Sequence, residues 1–186
     1  SKRTGTEATV IEPWEAGFYF NKVLKENYDL DPEEVRQYFE FHNVTQGLFT
    51  IYQQLFGVWF KEVENPSVWH EDVLMYEVYD RDSRNLIGRF YLDMFPRPNK
   101  YGHAAAFSVT MGKMTDNGYQ KPATALVCNF PKPSEFQPSL LTHDNVETYF
   151  HEFGHLVHGV LTEASLMSHA GTSVPRDFVE APSQML

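Results

Sequence analysis

The chain has 186 residues, 42% hydrophobic and 15% aromatic, which is enough to bury the core of one globular domain. Its 15 basic and 25 acidic residues give a net charge of −10, and no basic cluster is present, which argues against nucleic acid as a partner. The single cysteine, Cys128, excludes an internal disulfide and cysteine-based zinc knuckles, so a metal would need His, Asp or Glu ligands. No apolar run approaches the ~20 residues of a membrane span, and we expect no membrane partner.

The ends of the chain suggest a segment of a longer protein. The chain begins without methionine, and its last residues, EAPSQML, carry no helix stop signal. The first residues do not have the pattern of a signal peptide, and we expect a cytoplasmic location.

Residues 1–70 are predicted to be helical. Asp31, Pro32 and Glu34 supply an N-cap, a first-turn proline and a capping acid, and they predict a helix over about 32–42. The stretch NVTQGLFTIYQQLFGVWF continues with apolar residues at helical spacing, namely Val44, Leu48, Ile51, Leu55 and Val58.

Residues 71–130 are predicted to form a small antiparallel sheet. The alternating stretch VLMYEVY, the turn residues DRDSRN and the following LIGRFYLDMF predict a hairpin. HAAAFSV and ATALVCNF predict two further strands. We expect TALVCNF to be an edge strand near the functional site, able to bind an extended peptide by strand addition.

The segment VETYFHEFGHLVHG predicts a metal-binding helix over residues 142–164, capped by Thr142 or Asp144. His151 and His155 are one helical turn apart, so both imidazoles can reach one zinc ion. Glu152 lies beside them without joining the ligand set, as a general base for a zinc-bound water does. Gly154 inside the motif suggests that another backbone passes close to this turn.

A third ligand must come from elsewhere, and the residues after the motif leave it open. Metzincin spacing is excluded, because His158 and Leu161 stand where that pattern needs Gly and His. His158 lies too far along the helix axis to coordinate well and suits a supporting or substrate contact. Asp177 and Glu180 lie on a second predicted helix, residues 173–186, which could bring a carboxylate back to the metal.

Several motifs resemble the thimet oligopeptidase and neurolysin family of zinc oligopeptidases. HEFGHLVH and RDFVEAPSQML carry the resemblance, and GRFYLDMFPRPNKYGHAA, PATALVCNF and VTQGLFTIYQQLFG extend it over essentially the whole chain. The resemblance implies a mostly helical peptidase with a small sheet beside a deep channel that admits short, unstructured peptides. It also implies that Glu180 is the third zinc ligand.

Together these features predict an α+β catalytic-domain segment, 1–186, mainly α with a zincin-type helix, holding one zinc through His151, His155 and Glu180. The predicted activity is a zinc metalloendopeptidase acting on short peptides, with Glu152 as the base. The alternatives are a dipeptide-releasing carboxypeptidase of the same family and a catalytically inactive zinc-binding fragment. Further residues are assigned to support the ligands or contact substrate, namely His158, Asp177, Gln184, His103 and Tyr101.

Overall fold

The computed structural model describes residues 11–185. Four α-helices are found in this range: α1 (Ala16–Tyr28), α2 (Pro32–Val35), α3 (Phe41–Phe56) and α4 (His143–Val160). Seven strands lie between α3 and α4: β1 (Val58–Glu62), β2 (Leu74–Asp80), β3 (Leu86–Asp93), β4 (Ala105–Thr110), β5 (Lys113–Thr115), β6 (Gly118–Gln120) and β7 (Ala123–Val127). The α+β class is therefore confirmed.

Five of the strands form one sheet in the order β1-β2-β3-β7-β4, and β5 and β6 form a separate hairpin. β3 and β7 run parallel, whereas the other neighbours in the large sheet are antiparallel. The prediction of a purely antiparallel sheet is therefore wrong. β3 and β4 run in opposite directions, so β7, which lies between them, is parallel to one of the two, namely β3.

The expectation that TALVCNF forms an edge strand is also wrong. β7 is paired on both sides, with Ala125 opposite Tyr91 of β3 and Phe107 of β4. Its continuous apolar sequence is typical of a strand covered on both faces. The edge on this side of the sheet belongs to β4.

The core lies between one face of the large sheet and the helices α3 and α4. Phe153 of α4 lies in the middle of this layer. Its ring centroid is 4.8 Å from that of Tyr52 in α3 and 5.7 Å from that of Phe90 in β3. The Phe49 ring of α3 contacts two strands, with centroid distances of 5.1 Å to Phe60 of β1 and 5.9 Å to Phe90 of β3. α4 is thus anchored through its buried side to both the sheet and its neighbouring helix.

The prediction for residues 1–70 needs correction, and its first ten residues lie outside the described part. The Asp31 cap is confirmed by its bond from the Glu33 amide, 3.0 Å, but α2 ends at Val35 and a 3-10 turn follows. α3 ends at Phe56, because the next residue, Gly57, has a φ of +63° that favours glycine, and Val58 begins a strand instead of extending the helix. The sheet therefore starts inside the segment predicted to be helical.

Candidate metal centre

α4, which carries the motif side chains, begins with a capping box. The Thr142 hydroxyl accepts a hydrogen bond from the Asn145 amide, and the Asn145 side-chain oxygen accepts one from the Thr142 amide, both at 3.2 Å. This reciprocal pair caps the helix and decides between the two predicted caps in favour of Thr142. α4 ends at Val160 and so stops short of the predicted boundary at 164.

His151 and His155 meet Glu180 on the exposed side of α4. Their Nε2 atoms lie 3.2 Å and 2.9 Å from the same Glu180 oxygen, Oε2, and the two rings stand nearly perpendicular with centroids 4.9 Å apart. Two neighbouring ligands of a tetrahedral zinc ion with bonds of 2.0–2.1 Å are roughly 3.3 Å apart. Two imidazoles and one carboxylate at this spacing fit a zinc ion with one position left for water or substrate.

Glu180 reaches the histidines from a series of turns and not from a helix. The predicted helix 173–186 is wrong for the described residues up to 185: turns lead into a 3-10 turn, Pro182–Gln184. Two prolines interrupt this segment, and Pro182 lacks the amide that a continuing helix needs. Packing against α4 determines its course, because a β-carbon on Gly154 would lie 2.6 Å from Ser183 Cα. The expected close approach of another backbone at Gly154 is confirmed.

Ser183 is a site residue that sequence reasoning missed. Its hydroxyl lies 3.0 Å from Glu180 Oε2 and 2.9 Å from the Glu180 carbonyl oxygen, while the side chain is almost fully buried. The hydrogen bond from Ser183 and the nearby His155 and His151 keep the pKa of Glu180 below its usual range. A serine three residues after an acid was the available signal, since such residues bond to nearby backbone and side chains.

Glu152 faces an open cleft next to the metal-binding group. The cleft has a volume of about 480 Å³ and is lined by six residues, namely Glu147, Thr148, His151, Glu152, Ser183 and Gln184. The half-buried Glu152 carboxylate makes no hydrogen bond to any residue within 11–185. A carboxylate that is not held by the protein can accept a proton from a water molecule in this cleft.

The three residues near the motif that were predicted to support the ligands, Gln184, Asp177 and His158, lie in three different places. Gln184 lines the cleft, whereas Asp177 is exposed and hydrogen-bonds to no residue of the described part. His155 Nδ1 is buried without a hydrogen-bond partner among residues 11–185, so neither residue orients that ring. His158 lines a separate apolar cavity of about 450 Å³, where burial and then the nearby His155 lower its pKa.

Tyr101 and His103 lie in an exposed turn before β4 and do not belong to the metal-binding group. The Asn129 side-chain amide donates to the Tyr101 carbonyl oxygen, 2.9 Å, and lies 3.5 Å from that of His103. A further group of possible ligands, all exposed and not predicted from sequence, occupies the first turns of α4: His143, Asp144 and Glu147.

A helix with the H-E-x-x-H motif, two converging imidazoles and a carboxylate from a later turn is the arrangement of a metallopeptidase site. The chain belongs to peptidase family M3, whose model matches residues 1–186. The resemblance drawn from the motifs is thereby confirmed.

Three relatives illustrate the range of this family. The chain is 47% identical to the thimet-like oligopeptidase of Dictyostelium discoideum, with 92% of the chain and 26% of the relative aligned. It is 43% identical to saccharolysin of Saccharomyces cerevisiae, over 93% of the chain and 25% of that protein. It is 39% identical to the dipeptidyl carboxypeptidase of Escherichia coli, over 94% of the chain and 25% of that protein. The chain thus spans about a quarter of the length of these relatives.

Of the helices between residues 11 and 185, none combines the length and the apolar character that crossing a bilayer requires.

Proposed function

We propose that these residues form the zinc centre of an oligopeptidase that hydrolyses internal peptide bonds of short, unstructured peptides. The observation that carries the proposal is the convergence of His151, His155 and Glu180 beside the unbonded carboxylate of Glu152. A site used only to stabilise the fold has no need of a carboxylate that faces an open cleft.

His151, His155 and Glu180 would hold one zinc ion per chain. Zinc bound there supplies Lewis acidity for the scissile carbonyl and lowers the pKa of a water molecule. Glu152 would take a proton from a water molecule in the cleft, whose oxygen bonds to the scissile carbonyl carbon, and would pass that proton to the amine as the carbon–nitrogen bond breaks. Ser183 donates to the same Glu180 oxygen, Oε2, that faces both histidines, and so would hold that oxygen at the metal position.

An extended peptide needs main-chain partners, and β4 is the edge of the sheet on the side where β7 and α4 meet. The cleft beside Glu152 is open and partly polar, as a site for many different peptide sequences must be. A short peptide is therefore the proposed partner, and the cytoplasm is the proposed location, testable by cell fractionation.

A dipeptide-releasing carboxypeptidase is the second candidate, because the chain is also 39% identical to a relative named dipeptidyl carboxypeptidase. Mass spectrometry of products from a peptide of about ten residues separates the two activities. Successive loss of carboxy-terminal dipeptides would favour the carboxypeptidase, and internal fragments favour the oligopeptidase.

The decisive experiment replaces Glu152 with glutamine in the intact native protein loaded with zinc. We expect zinc content to stay near one per chain while kcat on a quenched fluorescent peptide falls by about 10²- to 10⁴-fold, the usual contribution of a general base. Glu163→Gln removes an exposed charge just beyond α4, away from the cleft, and serves as the matched control. An unchanged kcat in Glu152→Gln, or native protein that binds no zinc, would refute the proposal.

A further inference from the structure

Glu147 lines the cleft beside the metal-binding group but has no part in the chemistry proposed above. Its side chain is 69% exposed, and it precedes His151 by four residues on the same face of α4. Four residues advance a helix by about 6 Å, so Glu147 lies roughly that far from His151 along the helix axis. The carboxylate therefore stands at the end of the cleft that points toward the start of α4.

No lysine or arginine forms an ion pair with Glu147 in the part of the chain from residue 11 to residue 185. Its ionic neighbour is His143, whose Nδ1 atom is 3.7 Å from Glu147 Oε2 and whose side chain is 65% exposed. The six residues that line the cleft include no lysine or arginine either. The Glu147 carboxylate thus presents its charge to the open cleft.

The charges of the metal-binding group leave Glu147 uncompensated. A zinc ion held there brings two positive charges, and the carboxylates of Glu152 and Glu180 bring two negative ones. Glu147 adds one further negative charge, so the cleft as a whole is negative at neutral pH. Such a cleft attracts a cationic group and repels a carboxylate.

Stabilisation of the helix start does not account for Glu147. Acidic residues stabilise a helix through its dipole only near the amino terminus, and the effect falls off within the first turn. α4 begins at His143, and the acidic residue in its first turn is Asp144. Glu147 lies beyond that turn, and it lines the cleft whereas Asp144 does not.

We propose that Glu147 is a specificity-determining residue that favours peptides with a cationic group within about three residues of the scissile bond. This group is a lysine or arginine side chain or a free amino terminus. An extended peptide advances about 3.3 Å per residue, so the separation of about 6 Å between His151 and Glu147 corresponds to roughly two residues. The proposal rests on the proposed function, since it takes the cleft as the place where the peptide binds.

The test compares the hydrolysis of blocked peptides by the intact, zinc-loaded native protein. One lysine is moved along a peptide of about ten residues with an acetylated amino terminus and an amidated carboxy terminus, and the reference carries glutamine at the same position. At about 20 mM salt, lysine at one position near the cleaved bond should raise kcat/KM by about two- to fivefold, the range of an exposed ion pair. At about 0.5 M salt this ratio should fall close to one, because salt screens exposed charges.

Two substitutions of Glu147 assign the effect to its carboxylate. Glu147→Gln should abolish the preference for lysine while zinc content stays near one per chain. Glu147→Lys should reverse it, so that glutamate at the same peptide position is favoured over glutamine. Glu163→Gln removes an exposed charge beyond the opposite end of α4 and is the matched control, which should keep the native ratio.

A second pair of peptides separates the two sources of the cationic group. These peptides lack lysine and arginine, and they differ only in whether the amino terminus next to the cleaved segment is free or acetylated. A preference for the free amine that Glu147→Gln removes assigns the amino terminus to this carboxylate. A preference found only with lysine in blocked peptides assigns the side chain.

A lysine preference of equal size in native and Glu147→Gln protein would overturn the proposal, and so would the absence of any preference for either cationic group at low salt. Failure of the proposed function has a different signature. In that case the native protein with zinc bound hydrolyses none of the peptides. Titration of zinc-loaded Glu152→Gln protein with labelled lysine and glutamine peptides still shows whether Glu147 selects for charge.

Discussion

Replacing Gly154 with alanine tests how Glu180 is brought to the histidines. The added β-carbon would lie 2.6 Å from Ser183 Cα, 3.0 Å from the Pro182 carbonyl oxygen and 3.2 Å from the Ser183 amide nitrogen. All three are backbone atoms, so rotation of a side chain cannot relieve the contact. The segment must retreat by about 0.8 Å before the shortest contact reaches 3.4 Å, where ordinary van der Waals contacts begin.

This movement is large compared with the tolerance of a metal site, which is about 0.2 Å in ligand distance. Glu180 moves with the segment because Ser183 is bonded to it. We therefore expect Gly154→Ala to weaken zinc binding by roughly 10- to 100-fold, as changes next to metal ligands do. Overpacking costs about 1–3 kcal/mol, which outweighs the gain of about 1 kcal/mol from placing alanine in a helix.

The assay is zinc titration against a competing chelator, together with thermal unfolding with and without zinc. Gly47→Ala is the control, because Gly47 lies in α3 and its built β-carbon meets nothing within 4 Å. It should raise the free energy of unfolding by about 1 kcal/mol and leave zinc affinity unchanged. If Gly154→Ala behaves like this control in both measurements, the close packing of the Glu180 segment does not position the ligand.

Three further predictions concern the metal centre and the buried carboxylate of Asp93. His151→Ala and His155→Ala should each abolish tight zinc binding, because two ligands cannot replace three, and full occupancy by elemental analysis in either variant would contradict the ligand assignment. Asp177→Asn should retain zinc while Glu180→Gln loses it, and the reverse result in the same titration would exchange their roles. The buried Asp93 has a pKa of about 2 in the folded protein, below its ordinary value of 3.8 in the unfolded chain, because the effect of burial, which raises it, is outweighed by hydrogen bonds from Arg97 and Lys100. Its ionised form therefore stabilises the fold above pH 3.8, and this stabilisation is lost as the pH falls toward 2. The difference in free energy of unfolding between native protein and Asp93→Asn should therefore shrink by about 2 kcal/mol between roughly pH 4 and pH 2, measured by urea unfolding, and a constant difference would contradict it.

The sequence by itself determined the parts of the site that depend on local geometry. His151 and His155 face the same way because four residues make about one helical turn, and Glu152 must lie beside them for the same reason. The sequence also limited the helix cap to Thr142 or Asp144, and the hydrogen bonds between Thr142 and Asn145 decide for Thr142. The close approach of another backbone segment to Gly154 was also predicted from the sequence, because glycine destabilises a helix and needs a reason to be there.

Only the tertiary structure decided which distant segments meet these residues. The Glu180 carboxylate comes from turns instead of a helix, because Pro182 and the packing at Gly154 determine the path of the chain, and Ser183 hydrogen-bonds to it. Likewise, β7 lies inside the sheet because the chain returns between β3 and β4, a choice of strand order that no local pattern encodes. Lys100 donates hydrogen bonds to the carbonyl oxygens of Asp93, at the end of β3, and of Cys128, just after β7. No local sequence pattern predicts these partners, because they depend on which strands are neighbours in the sheet.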